Sequence, residues 1–175
     1  MKHSIAYIIL LTMLVGCKPN TPSAYRGLPK TYATAYEQIH GHCYDSVAQT
    51  VVSLDLYSTG LELNEDKHIV GTGYNLYISD IFVPDSLLET GSYRSDTTAE
   101  AFTFLPGKDY EGYPFGMYIL NIEEDQIKQI QVLDSGSFVY RNDSLLFTLY
   151  YKNVYGSKAT YTCTYSGALI PWLKK

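Results

Sequence analysis

The 175-residue chain has one tryptophan, Trp172, three cysteines and four histidines. After residue 15 no apolar run approaches the ~20 residues a membrane-spanning helix needs, so no later segment is expected to cross a bilayer as a helix. Thirteen basic and 18 acidic side chains give a formal charge of -5. The basic residues are scattered and form no stripe, which argues against a nucleic-acid partner. A G-x-S-x-G nucleophile elbow is missing. Gly71-Thr72-Gly73 lacks the third glycine and the following helix of a dinucleotide loop, and reads instead as the start of a strand or a bulge. There is no internal repeat or low-complexity tract. These absences leave no catalytic constellation and no reason to expect a cofactor. The chain is therefore expected not to be an enzyme.

The N-terminus carries a positive signal. Met1-Lys2-His3 precedes an apolar run from Ile5 to Val15, then Gly16-Cys17. A short basic head and an apolar stretch too short to span a bilayer match a secretory signal. Leu14-Val15-Gly16-Cys17 resembles the lipobox of bacterial lipoproteins, and it falls where the apolar run ends. An ordinary signal peptide containing a cysteine by chance is the competing reading. The resemblance implies that residues 1–16 are a signal peptide and that Cys17 is lipidated and anchors the chain in a membrane. Lys18, rather than an acidic residue, follows the cysteine, which favours the outer membrane, on its periplasmic or outer surface. Residues 17–30 hold three prolines and no acidic residue and read as an extended tether. Residues 31–175 are then a single domain.

The remaining cysteines, Cys43 and Cys163, suggest one disulfide in an exported protein, with two separate thiols as the alternative. Tyrosine is the compositional outlier, 18 residues in all, and favours half-buried pleated positions. Period-two alternation recurs: Val52, Leu54 and Leu56 share one face, as do Tyr74, Leu76 and Ile78, then Leu145, Phe147, Leu149 and Tyr151, then Tyr161, Cys163 and Tyr165. Turn signals such as Ser58-Thr59-Gly60, Pro106-Gly107-Lys108 and Asn142-Asp143-Ser144 separate these runs. Residues 130–141, 145–153 and 158–167 read as an antiparallel meander. Ser86 to Thr90 and Glu123 to Gln129 are weak helical candidates, the second better read as a turn into a strand. The expected fold is all-β: one antiparallel sandwich or jelly-roll-like domain of roughly eight to ten strands, with a lipocalin-like closed barrel as the alternative.

Gly71 to Ile78, Leu88 to Tyr93, Phe104 to Gly107, Ser135 to Tyr140 and Tyr165 to Gly167 give a succession of turn glycines and β alternation. It is similar to the small all-β lipoproteins of the Bacteroidetes, over about residues 45–170. That resemblance implies a β domain on a lipid anchor and carries no catalytic motif.

Two clusters invite a functional reading. On a strand, His40 and His42 would share a face as metal ligands do, with His68 as a third and Cys43 on the opposite face. Two histidines do not make a zinc site, and no metal is expected. Asp109-Tyr110-Glu111-Gly112-Tyr113-Pro114-Phe115 is dense in aromatic and acidic groups. Asp109, Tyr110, Glu111, Tyr113 and Phe115 form a candidate ligand-binding loop, since stacking faces beside carboxylates suit sugars. The bland alternative is a hairpin whose tyrosines pack on the sheet rim. The expected function is a non-catalytic envelope module for a glycan or a protein partner. A carrier of a small apolar ligand is the alternative.

Overall fold

The computed structural model describes residues 27–153 and 155–172. The expected signal peptide, the lipidation site Cys17 and the tether up to residue 26 lie outside the described residues. Among the described residues no helix forms, and sixteen strand segments do. They begin with β1 (Thr31–Tyr32), β2 (Thr34–Gly41), β3 (Thr50–Tyr57), β4 (Leu61–Leu63), β5 (Ile69–Gly71) and β6 (Gly73–Val83). Next come β7 (Gly91–Ser95), β8 (Thr103–Phe104), β9 (Lys108–Tyr110), β10 (Tyr113–Phe115), β11 (Met117–Glu123) and β12 (Gln126–Val132). The series ends with β13 (Ser135–Arg141), β14 (Ser144–Lys152), β15 (Lys158–Ser166) and β16 (Ile170–Pro171).

Twelve of these segments form one curled, mixed, open sheet in the order β1-β15-β14-β13-β7-β8-β6-β3-β2-β16, with β11 and β12 branching from β6. The result is an all-β half-barrel. Most pairings are antiparallel, but β1 with β15, β7 with β8 and β16 with β2 are parallel, a departure from the purely antiparallel expectation. The cause is the brevity of these segments. A two-residue strand needs no hairpin return and can pair wherever the chain passes, as β1 does with Thr31 opposite Thr164.

The alternation seen in the sequence fixes the concave face. Val52, Leu54 and Leu56 of β3 sit opposite Ile81, Ile78 and Leu76 of β6, and all six are fully buried. Across β14 and β15, Leu145, Phe147 and Leu149 oppose Tyr165, Cys163 and Tyr161, and these also join the core. Its centre is a train of rings: Phe138 stacks on Tyr93 at 4.5 Å and lies 5.4 Å from both Phe104 and Phe147. Leu88, in the loop of residues 84–90, is buried in this core. Its N–H donates to the buried Glu37 carboxylate at 2.6 Å, and burial pushes that carboxyl above its ordinary value.

The expected Cys43–Cys163 disulfide is not formed, and both are free thiols. Cys163 faces the concave core, whereas Cys43 lies beyond the end of β2 and is exposed. The first and last strands do meet, but through backbone: β1 pairs with β15, and the Tyr161 hydroxyl donates to the Pro29 carbonyl at 2.5 Å. Pro29 and Lys30, expected in the tether, are thus already bound to the sheet, since the Lys30 carbonyl accepts from Thr164 N–H at 2.9 Å. Ser86 to Thr90 forms no helix, and the candidate at Glu123 is a tight turn, Glu124-Asp125 both having positive φ, between β11 and β12. The meander begins at Ser135, because residues 130–132 belong to β12.

Candidate functional site

The convex face of β2, β3, β6 and β11 carries the alternate residues: Tyr36, Gln38 and His40, then Val51, Ser53, Asp55 and Tyr57, then Asn75, Tyr77 and Ser79, then Tyr118, Leu120 and Ile122. At one end of this face the β4–β5 hairpin packs Leu61, Leu63 and Ile69 against Tyr57, Leu120 and Ile122. At the other end a second hairpin, β9–β10, rises beside the sheet. Between that hairpin and the loop following β2 lies an open cleft of about 270 Å³.

Two irregularities build the cleft. In β6 the register against β3 slips between Val52 and Leu54, so Ser79 and Asp80 together face Ser53. Asp80 takes φ +50, a left-handed conformation that Asp tolerates better than most residues. The bulge keeps Ile78 and Ile81 both on the concave face. It is also where β6 exchanges partners, from β11 before it to β8 after it. In β2 the register slips at His40, and Gly41 with φ +74 turns the chain away.

That second slip overturns an expectation from strand alternation. Cys43 does not face away from His40; both line the cleft, with Val51, Tyr77, Ser79, Asp80, Pro114, Phe115, Gly116 and Tyr118. His42 lies exposed beyond β2, and His68 follows the turn between β4 and β5. The three histidines are not gathered, and among the described residues no group of three His, Cys, Asp or Glu side chains could hold a metal ion.

The polar groups are interlocked. The Ser53 hydroxyl lies 3.0 Å from His40 Nε2 and also hydrogen-bonds the Tyr77 phenol. The Tyr44 hydroxyl donates to Asp80 Oδ1 and the Ser79 hydroxyl to Oδ2, each at 2.6 Å. The hydrogen bond to this carboxylate, more than partial burial, raises the Tyr44 phenol to about 12. Cys43 Sγ donates to the His40 carbonyl at 3.2 Å. Tyr77 and Tyr118 lie ring against ring at 5.1 Å, and burial raises both phenols above their ordinary value. Behind them Asp55 accepts from the Tyr57 hydroxyl at 2.7 Å and from Asn75 Nδ2, and burial outweighs these bonds in raising its carboxyl.

The hairpin at residues 108–115 is the candidate loop of the sequence, and only part of it reaches the cleft. Asp109 Oδ1 accepts from Gly112 N–H at 2.8 Å and so shapes the turn. Glu111, at φ +52, occupies that turn. Tyr110 and Tyr113 are exposed, Tyr110 edge-on to Phe115 at 6.4 Å. Phe115 lines the cleft, with its neighbour Pro114. The neck is pinned to the bulge, because Ser79 N–H donates to the Gly116 carbonyl at 3.0 Å and Leu105 N–H to that of Asp80 at 3.3 Å.

Tyr77, Ser79, Asp80, Tyr118 and Ser53 were not singled out in the sequence. Alternation placed Tyr77 and Ser79 outward, which is the signal that could have found them. A larger hollow of about 490 Å³ lies at the opposite end, lined by Gly60, Leu61, Glu62, Val70, Gly71 and Asp125. It has no aromatic wall, and the Asp125 carboxylate is already engaged by Gly71 N–H at 2.5 Å. The cleft beside β9–β10 is therefore the better candidate. No protein-family model, curated protein or solved structure matches this chain.

Proposed function

We propose that the chain is a non-catalytic binding module, held at the outer membrane through lipid on Cys17, that receives a glycan or an envelope protein in the convex-face cleft. The observation that carries this reading is the combination lining that cleft: aromatic faces from Tyr77, Tyr118 and Phe115 beside the hydrogen-bonding groups of Ser79, Asp80 and His40. Ligand sites typically pair apolar walls with a few placed polar groups.

Two further observations support it. Ser53, the serine paired with His40, is 2% exposed and absent from the cleft lining, so its hydroxyl is not offered to a substrate carbonyl as a hydrolase requires. The concave side is filled by Tyr93, Phe104, Phe138, Phe147 and Met117, all under 2% exposed, where a lipocalin-like carrier needs a lined cavity.

The test has two arms. The purified full chain is screened on a glycan array and against envelope extracts, and the same preparation is extracted for bound apolar molecules. Binding that Phe115→Ala weakens is expected. A stoichiometric apolar ligand in the extract, with no binding on the array or to envelope proteins, would refute the reading. For the anchor, Cys17→Ala is expected to move the protein from the membrane fraction to the soluble one.

A further inference from the structure

The geometry points to an uncharged sugar ring as the group the cleft takes, with two neighbouring hydroxyls donating to Asp80 and an apolar ring face against Phe115. This rests on the reading of the convex-face cleft as the binding site and specifies its ligand.

Three features narrow the chemistry. The first is charge. Asp80 lines the cleft, and among the described residues neither Lys nor Arg does; Lys108, the cross-strand partner of Phe115, lies outside the lining. A phosphate, sulfate or carboxylate would meet the Asp80 carboxylate with neither Lys nor Arg to offset the repulsion, a penalty that grows as water is excluded. Anionic ligands are thereby disfavoured.

The second is hydrogen-bonding capacity. An ionised carboxylate has about four acceptor positions and no donor. Tyr44 and Ser79 occupy one on each oxygen of Asp80 and fix its plane. Each of the two oxygens, held in a set orientation, has capacity to accept a further bond, which suits a pair of neighbouring hydroxyl donors. A quaternary ammonium group has no donor for these positions, which favours a diol over it.

The third is size and wall. The cleft, about 270 Å³, falls just below the ~300–1,000 Å³ of sites that enclose drug-sized ligands. It accommodates one ring and leaves the rest of a chain outside. Phe115 keeps 44% of its surface exposed at the mouth, an apolar face on which the C–H side of a pyranose can lie while its hydroxyls turn toward Asp80.

The experiment measures binding of the full chain to glycans ending in neutral hexoses, the same glycans ending in uronic acid or carrying sulfate, and a quaternary ammonium probe. The variants are Asp80→Asn, Phe115→Ala and the distant surface change Leu146→Ser. Asn keeps the shape of Asp80 and tolerates its positive φ, so that variant is expected to fold as the parent does. The expected result is binding of neutral glycans alone, weakened about tenfold or more by Asp80→Asn, as loss of hydrogen bonds to a charged group implies. Phe115→Ala should weaken it comparably, and Leu146→Ser should not. Equal or tighter binding of acidic glycans, tighter binding of the ammonium probe, or neutral binding indifferent to both cleft variants would overturn the inference and leave a binding module standing. Stoichiometric apolar ligand with no glycan or protein bound would instead remove the reading beneath it.

Discussion

Gly116 and Gly112 offer a controlled test of how the β9–β10 hairpin is held against the cleft. Both have positive φ, +76 and +89, but their surroundings differ. A Cβ at Gly116 would lie 2.3 Å from the Pro106 carbonyl oxygen, whereas one at Gly112 meets nothing within 4 Å. Gly112→Ala should therefore cost only the backbone term, about 1–2 kcal/mol for an L residue in left-handed space. Gly116→Ala carries the same term plus a collision with backbone, which cannot rotate aside. Overpacking of that kind typically adds about 1–3 kcal/mol. The entropy that alanine removes from the unfolded chain is common to both variants and cancels in the comparison. Urea unfolding should place Gly116→Ala below Gly112→Ala by about 1–3 kcal/mol at an unchanged slope. The Gly116 variant should also bind ligand more weakly, because relieving the collision moves Pro114 and Phe115 and disturbs the Ser79–Gly116 hydrogen bond. Equal stabilities of the two variants would show that the hairpin neck is not packed as described.

Phe138→Ala should cost about 3–5 kcal/mol, since this ring is 1% exposed and touches three other aromatic rings; Val139→Ala, on the opposite face, should cost under about 1 kcal/mol in the same urea titration. In protein produced without residues 1–17, Cys43 should react with a thiol reagent in the native state and Cys163 only after unfolding, its thiol being buried and raised to about 12; an unfolded, unreduced sample with no reactive thiols would restore the disulfide. Asp55 has its carboxyl raised above 3.8 by burial, so the fold disfavours its charged form and stability falls as pH rises from 3.8 through the higher folded value. Relative to the parent, Asp55→Asn should thus gain stability between pH 3.5 and pH 7 in thermal melts, and a gap that does not move with pH would contradict the burial.

The concave face was legible in the sequence because its rule is local. Leu54, Ile78, Phe147 and Cys163 each point where alternation sends them. The cleft was legible only in part. Phe115 was named within an aromatic and acidic loop, yet Tyr110 and Tyr113 of that loop stay outside, since a turn closed by Asp109 and Gly112 decides which side chains lean inward. Cys43 was misplaced because alternation holds only while the strand continues, and β2 ends in a bulge at His40. The bulge at Asp80 leaves no mark in its own segment. It exists only relative to Ser53 on β3, and partner register is information that one strand does not contain. The parallel pairings escaped for a related reason, as two residues such as Thr31 and Tyr32 show no period.

The start of the described chain and the cleft lie at opposite ends of one stretch of backbone. From Thr34 to Gly41, β2 spans about 23 Å at ~3.3 Å per residue, with β1 just before it. Tension between a tether at Gly27 and a ligand held beside His40 would act along that line. Such a pull slides β1 past β15 and β2 past β3, so the hydrogen bonds of both seams resist together instead of opening one after another. If the proposed tether and the proposed ligand pull on its two ends, β2 is thus oriented as a mechanical tie.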